Sequence, residues 1–209
     1  MSVIHEIMAT GPLEVNCQLL SGGGSGEAVL IDPGGDADLL LKRLEKLNLK
    51  LTHIINTHGH FDHIGGVAAL KKATGCQFWL HKGDLPLVKN AAKHAGSWNL
   101  PFGPIPTVDK NFEDGDKLKV AGMVLEVVHT PGHTQGGVCL RWGNDIAVGD
   151  TLFAGSVGRT DLPGGDMEQL MDSIMNKLVP QGDGLECHPG HGPSTNLGHE
   201  KRTNPFLVG

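Results

Sequence analysis

Thr57-His58-Gly59-His60-Phe61-Asp62-His63 packs three imidazoles and a carboxylate into six residues. His58 and His60 stand two apart in an extended turn, which sends both rings to one side. Asp62 and His63 then open a helix and reach the same space from another direction. Four nitrogen and oxygen donors brought to one point suit zinc, iron or manganese. A polar loop with incidental histidines accounts poorly for this density. An apolar strand, residues 52–56 (THIIN), leads into the cluster, and residues 62–73 read as the helix after it.

Three more segments share one grammar: an apolar strand, a glycine, then a ligand-type residue. Thr130-Pro131-Gly132-His133-Thr134 follows LEVVH, Gly149-Asp150-Thr151 follows DIAV, and Pro189-Gly190-His191-Gly192 follows LECH. Glycine lets the backbone turn sharply there. All three are expected at the ends of neighbouring strands, on the rim that carries His58. The candidate metal donors are then His58, His60, Asp62, His63, His133, Asp150 and His191. Seven donors exceed one tetrahedral ion. They fit two divalent ions if a carboxylate bridges, and Asp150 is the natural bridge.

Working outward, strands are expected over residues 3–8, 17–20, 27–31, 77–80, 118–120, 123–128, 137–141, 145–148 and 185–188. Helices are expected over 36–47, 62–73, 83–95 and 166–178, with a turn of helix at 199–203. In the first, Asp36 is the cap and Leu39, Leu40, Leu44 and Leu47 share the apolar face, leaving Lys42, Arg43 and Lys46 outside. Residues 97–115 form a loop rich in Pro and Gly, where Trp98 and Phe102 either wall a pocket or pack inward. The 209 residues, with no linker or repeat, are expected to form one domain.

Composition removes several classes. Seventeen basic against 23 acidic residues give −6, the wrong sign for a protein that grips nucleic-acid phosphates. No apolar run reaches membrane length, and the first residues lack the pattern of a secretory signal. A cytoplasmic protein is expected. Cys17, Cys76, Cys139 and Cys187 form no C-x-x-C pair and read as small core residues in a reducing compartment. Glycine, at 31 residues, is about twice its usual ~7% share, as a strand-rich fold with many tight turns would need. Tyrosine is absent, so no phenol can serve as general acid.

H-x-H-x-D-H, P-G-H-T, G-D and G-H, in that order, resemble the metallo-β-lactamase superfamily. The resemblance runs over essentially the whole chain, from Leu30-Ile31-Asp32-Pro33-Gly34 onward. Gly158-Arg159-Thr160-Asp161, Gly190-His191-Gly192-Pro193 and Asn204-Pro205-Phe206-Leu207 narrow it to the single-domain glyoxalase II-like hydrolases. It implies an α+β fold, a four-layer αββα sandwich with a metal centre at one rim. It implies His58, His60 and His133 on one ion, Asp62, His63 and His191 on the other, and Asp150 between them. Zinc is the first choice of metal, with iron or manganese as alternatives. An aspartate at 150 argues against the β-lactamase subclasses that place cysteine there. The main glyoxalase II branch adds a C-terminal helical domain whose basic and tyrosine side chains hold glutathione. Residues 1–209 are expected to lack that domain and its contacts.

Residues and resemblance converge on hydrolysis. Two close cations lower the pKa of a bridging water from ~15.7 towards ~7. Two divalent ions, two aspartates and a hydroxide leave one net positive charge for a tetrahedral oxyanion. A thioester such as S-lactoylglutathione suits a site without tyrosine, because a thiolate (free thiol pKa ~8.5) needs little help to leave. Asp62 and Asp150 are the candidate catalytic carboxylates, with Asp62 orienting the nucleophile. The alternative is oxidative: His58, His133 and Asp150 would form the 2-His-1-carboxylate set of a mononuclear Fe(II) enzyme, as in the superfamily's persulfide dioxygenases. A non-enzymatic metal-binding protein is the third reading, disfavoured because structural zinc sites are usually closed by four ligands. Asp32 is expected to support the metal loop, and Arg159 and Asp161 to pair with each other or position substrate. Of the remaining histidines, His188 is the one set apart by its closeness to His191.

Overall fold

The computed structural model describes residues 3–208. Its layering follows from strands that are apolar on both faces. Successive strand residues point to opposite sides of a sheet. Beside β1 (Ile4–Thr10), β2 (Val15–Ser21) sends Cys17 and Leu19 into one core cluster and Leu20 into another. β3 (Glu27–Ile31) divides Ala28 and Leu30 from Val29 and Ile31 in the same way. Ile54 and Ile55 of β4 (Lys50–Ile55), and Phe78 and Trp79 of β5 (Gln77–Trp79), repeat the division. These strands form a sheet in the order β1-β2-β3-β4-β5, antiparallel as far as β3 and parallel beyond it.

The second sheet uses β6 (Lys117–Val120), β7 (Met123–His129), β8 (Val138–Trp142) and β9 (Asp145–Gly149). A small hairpin of β10 (Leu152–Phe153) and β11 (Ser156–Val157) interrupts it before β12 (Glu186–Pro189) and β13 (Thr195–Asn196). The order is β13-β12-β9-β8-β7-β6, with β12 and β9 parallel and the other pairs antiparallel.

Helices close both outer faces. On the first sheet, α1 (Ala37–Lys46) contributes Leu40 and Leu44, and α3 (Val67–Thr74) contributes Val67 and Leu70. The short α2 (Phe61–Ile64) precedes α3, and α4 (Leu85–Lys89) and α5 (Ala91–Ser97) follow β5. On the second sheet, α6 (Met167–Ser173) runs on into a wider π turn over Ile174–Leu178 and buries Leu170, Ile174 and Leu178; α7 (Leu197–Thr203) adds Leu197. Between the sheets, Leu20, Val29, Ile31 and Ile55 meet Leu125, Val127, Leu140 and Ala147. The architecture is the expected αββα sandwich, stabilised by roughly 1.5–3 kcal/mol for each fully buried aliphatic side chain.

Several local expectations change. The helix over 62–73 breaks at Gly65, because a Cβ there would stand 2.3 Å from the Gly34 carbonyl oxygen and the Pro33–Gly34 turn needs that space. The helix over 83–95 becomes a 3₁₀ turn, α4 and α5, interrupted at Asn90, whose side-chain amide donates to the Pro86 carbonyl at 2.8 Å. Asp36 does not cap α1: with φ 49° it turns its carboxylate to accept the Gly11 N–H at 2.8 Å. Leu39 lies half exposed, outside the stripe formed by Leu40 and Leu44. Asp166 does cap α6, accepting from the Gln169 N–H at 3.0 Å. All four cysteines are buried free thiols. Among the described residues no helix is long and apolar enough to cross a membrane.

Candidate metal centre

β4, β9 and β12 all end at one rim, and the loops beyond them meet across the gap between the sheets. The Val138 N–H donates to the Thr57 carbonyl at 2.9 Å, tying the loop after β4 to the start of β8. Gly149 has φ 49°, and a Cβ there would stand 2.4 Å from Thr57 Oγ1, so glycine allows the two sheets to close on each other. The rim therefore collects residues from four distant stretches of chain.

All seven candidate donors come together there. His58 Nε2 and His133 Nε2 lie 3.1 and 3.0 Å from His60 Nδ1. Asp62, His63 and His191 form a second group, with His191 Nε2 3.3 Å and His63 Nε2 3.7 Å from Asp62 Oδ2. Asp150 stands between the groups. Its Oδ2 is 3.6 Å from His133 Nε2 and 3.9 Å from His191 Nε2, and its Oδ1 is 3.5 Å from His63 Nε2.

The outer nitrogens fix which inner nitrogen is free. His133 Nδ1–H donates to the Arg159 carbonyl at 2.6 Å, and His191 Nδ1–H to the Leu13 carbonyl at 3.1 Å. His63 Nδ1–H donates to Asp32 Oδ2 at 3.0 Å. Thr57 gives its hydroxyl proton to the same Asp32 oxygen at 2.5 Å and accepts from His58 Nδ1–H at 3.1 Å. Each of these anchors leaves a lone pair turned inward, as metal-binding imidazoles require. Asp32 also accepts the Thr57 N–H at 2.7 Å, so it touches both His63 and the Thr57 loop.

The inward atoms fit cations. His60 Nδ1 lies within 3.1 Å of both His58 Nε2 and His133 Nε2, so three imidazole nitrogens converge where one cation would satisfy them all. Among the described residues, His63 Nε2 and Asp150 Oδ1 are buried without a hydrogen-bond partner. Burial, then the facing His133, pushes His60 down to about 3, and burial with its imidazole neighbours drives His58 well below the usual histidine range. Burial opposes charge on His63 as well, yet Asp150, Asp62 and Asp32 push it up to about 10. Contact with Asp62, partly offset by burial, raises His191. One half of the site is thus bare nitrogen and the other a carboxylate pair seeking positive charge, a donor set for two divalent ions.

One organising residue escaped the sequence reading. Asp84 is fully buried and accepts from the Gly59 N–H at 2.8 Å, the Gly136 N–H at 2.6 Å and the Thr134 hydroxyl at 2.8 Å. It clamps the His58–His60 turn to the turn after His133. In the sequence it reads only as a helix cap before Leu85-Pro86, and it makes no such capping bond. Thr134, next to His133, acts through this clamp.

A cavity of about 380 Å³ opens over the donors, walled by Leu13, Phe61, Leu87, Trp98 and Leu162 with His94 and Arg159 among its polar lining. Trp98 therefore walls the pocket, whereas Phe102 packs against the outer core of the first sheet. Arg159 and Asp161 pair side by side at 2.7 and 2.8 Å, both well exposed. Such exposed pairs contribute roughly 0–1 kcal/mol. Arg159→Ala should then leave the thermal midpoint within about 3 °C, because the contact that holds His133 comes from the main chain. A drop well beyond that in a melting curve would show that the pair fixes the loop.

An αββα sandwich with a rim of imidazole and carboxylate donors defines a metal-dependent hydrolase. The chain belongs to the metallo-β-lactamase superfamily, whose sequence pattern matches residues 10–193. It is 39% identical over 206 residues to the hydroxyacylglutathione hydrolase GloC of Haemophilus influenzae, covering 97% of each chain. The crystal structure of TTHA1623 in a di-iron-bound form superposes with a TM-score of 0.90 at 41% identity, over 97% of this chain and 100% of that one. BLEG-1, described as a B3 metallo-β-lactamase, gives 0.92 at 34% identity, over 99% and 100%.

Proposed function

We propose that the chain hydrolyses a thioester of a small acyl group, with S-lactoylglutathione as the representative substrate. The carrying observation is Asp150, whose two oxygens face imidazoles of both donor groups. In this reading His58, His60 and His133 hold one divalent ion, Asp62, His63 and His191 hold the other, and Asp150 joins them. When bound, such a pair supplies Lewis acidity and makes hydroxide available at neutral pH. Zinc and iron both suit these ligands, and the di-iron form of TTHA1623 favours testing the two together.

The chain's own residues do the rest. Asp32, Thr57 and the carbonyls of Leu13 and Arg159 hold the rings so that the inner nitrogens stay aimed. Asp62 also lines the cavity and orients the proton of the attacking nucleophile. The apolar wall of Leu13, Phe61, Leu87 and Trp98 receives the acyl chain and thins the water around it. A thiolate leaves without a general acid at neutral pH, consistent with a chain that has no tyrosine. The likeness to GloC supports this substrate class, while the likeness to BLEG-1 makes a β-lactam the competitor to test.

The deciding experiment offers the metal-loaded protein S-lactoylglutathione and a chromogenic cephalosporin in parallel, with His58→Ala as control. Thioester turnover that disappears in the control, with the cephalosporin left intact, is the expected result. A fully loaded protein that leaves the thioester untouched overturns the reading. Oxygen uptake with glutathione persulfide by the Fe(II)-loaded protein would then identify the oxidative alternative.

A further inference from the structure

We infer that His5, Asp145 and His188 form a second metal site, separate from the catalytic rim, that takes a single zinc-class divalent ion. One nitrogen from each histidine and one Asp145 oxygen lie within 4.8 Å of one another. His188 Nε2 is already 2.9 Å from Asp145 Oδ1. Tetrahedral zinc, with bonds of ~2.0–2.1 Å, wants its donors roughly 3.4 Å apart. A slight opening of the His188–Asp145 contact and a swing of the partly exposed His5 ring would bring the three donors to that spacing. Three protein donors leave the fourth position to water.

The rings have the outer partners that a bound cation needs. His5 Nε2–H donates to Gln18 Oε1 at 3.1 Å, which leaves Nδ1 as its lone-pair nitrogen. His188 Nε2–H donates to Asp145 Oδ1, and the Ser194 hydroxyl, 2.9 Å from Nδ1, can take over the ring proton there when an ion displaces it from Nε2. Oxygen partners on the outer nitrogens are the arrangement by which proteins orient metal-binding imidazoles. Trp142 stacks on His188 at 5.9 Å and 21° and meets His5 edge-on at 5.2 Å, holding both rings. The two imidazoles face each other at 4.7 Å and 71°. A surface cavity of about 500 Å³ reaches His5 and Asp145 and gives an ion its way in. Two imidazoles and one carboxylate select zinc, cobalt, nickel or copper over magnesium or calcium.

The location indicates the role. Asp145 begins β9, whereas Asp150 follows its end, five residues and roughly 16 Å further along the strand. His5 belongs to β1 in the first sheet, and Asp145 and His188 belong to β9 and β12 in the second. An ion held by all three ties the sheets together away from the active rim, with His188 beside Ala147 in mid-strand. Since it binds the folded chain only, it stabilises by mass action, raising the midpoint by roughly 5–10 °C at a hundredfold excess over its Kd.

The test uses the protein with its catalytic metals loaded, alongside His5→Gln and Asp145→Asn. Each is dialysed against micromolar Zn²⁺, then assayed for bound metal, thermal midpoint and thioester turnover. The expected result is one zinc more per chain in the parent than in either variant. The Zn²⁺-dependent rise in midpoint should be lost in both variants, and turnover should not change. Equal metal content in all three proteins overturns the inference. Zinc-edge anomalous diffraction from unmodified protein gives an answer independent of how the variants fold. A peak between His5, Asp145 and His188 supports the site, and density confined to the catalytic rim rejects it.

Discussion

Asp150→Asn is expected to lower thioester turnover by about 10²–10³-fold and to abolish two-ion stoichiometry, with the fold intact. The substitution keeps the side chain's shape but removes its negative charge and one of its two acceptor oxygens. The two oxygens face His63 at 3.5 Å on one side and His133 at 3.6 Å on the other, so losing the charge affects both halves of the site. Metal stabilisation of a developing oxyanion is worth several kcal/mol, and each ~1.36 kcal/mol is a tenfold change in rate. Metal analysis beside turnover makes the check. A variant that kept both ions and full activity would remove Asp150 from its bridging role.

Gly132→Ala should be a severely damaging single-atom change outside the donors. Gly132 has φ 139°, where side chains other than glycine are strained, and an added Cβ would stand 2.3 Å from both Leu170 Cα and Leu170 N. Those are main-chain atoms of α6, so the helix must shift or the turn must open. Overpacking costs about 1–3 kcal/mol and backbone strain adds to it. A loss of about 3 kcal/mol lowers the midpoint of a chain this size by roughly 6–12 °C. His133 is the next residue, so metal affinity should fall together with stability. Differential scanning calorimetry with and without added metal separates the two effects. An unchanged midpoint would mean that α6 yields freely.

The candidate donors were legible in the sequence because their chemistry is local. Three imidazoles and a carboxylate within 58–63 leave little room for a packing explanation, and the strand–glycine–ligand grammar repeats at His133, Asp150 and His191. The strands over 27–31 and 52–56 were legible as short apolar runs, while the αββα sandwich followed only from the resemblance that the motifs carry. Helix ends were less legible. Asp36 looks like a cap, yet a backbone N–H 25 residues away claims its carboxylate.

The groups that aim the donors were not legible at all. His133 is held by a carbonyl 26 residues on, His191 by one 178 residues back, and Asp84 reaches 52 residues to Gly136. Main-chain carbonyls and N–H groups carry no residue identity, so no motif can record them. Sequence alone determined which atoms can bind metal, since donor chemistry belongs to side chains. Tertiary structure decided which nitrogen of each ring is free, how Asp150 lies between the two groups, and that His5 meets His188. Those outcomes depend on two sheets closing to within hydrogen-bond distance, a contact between residues that are remote in the chain.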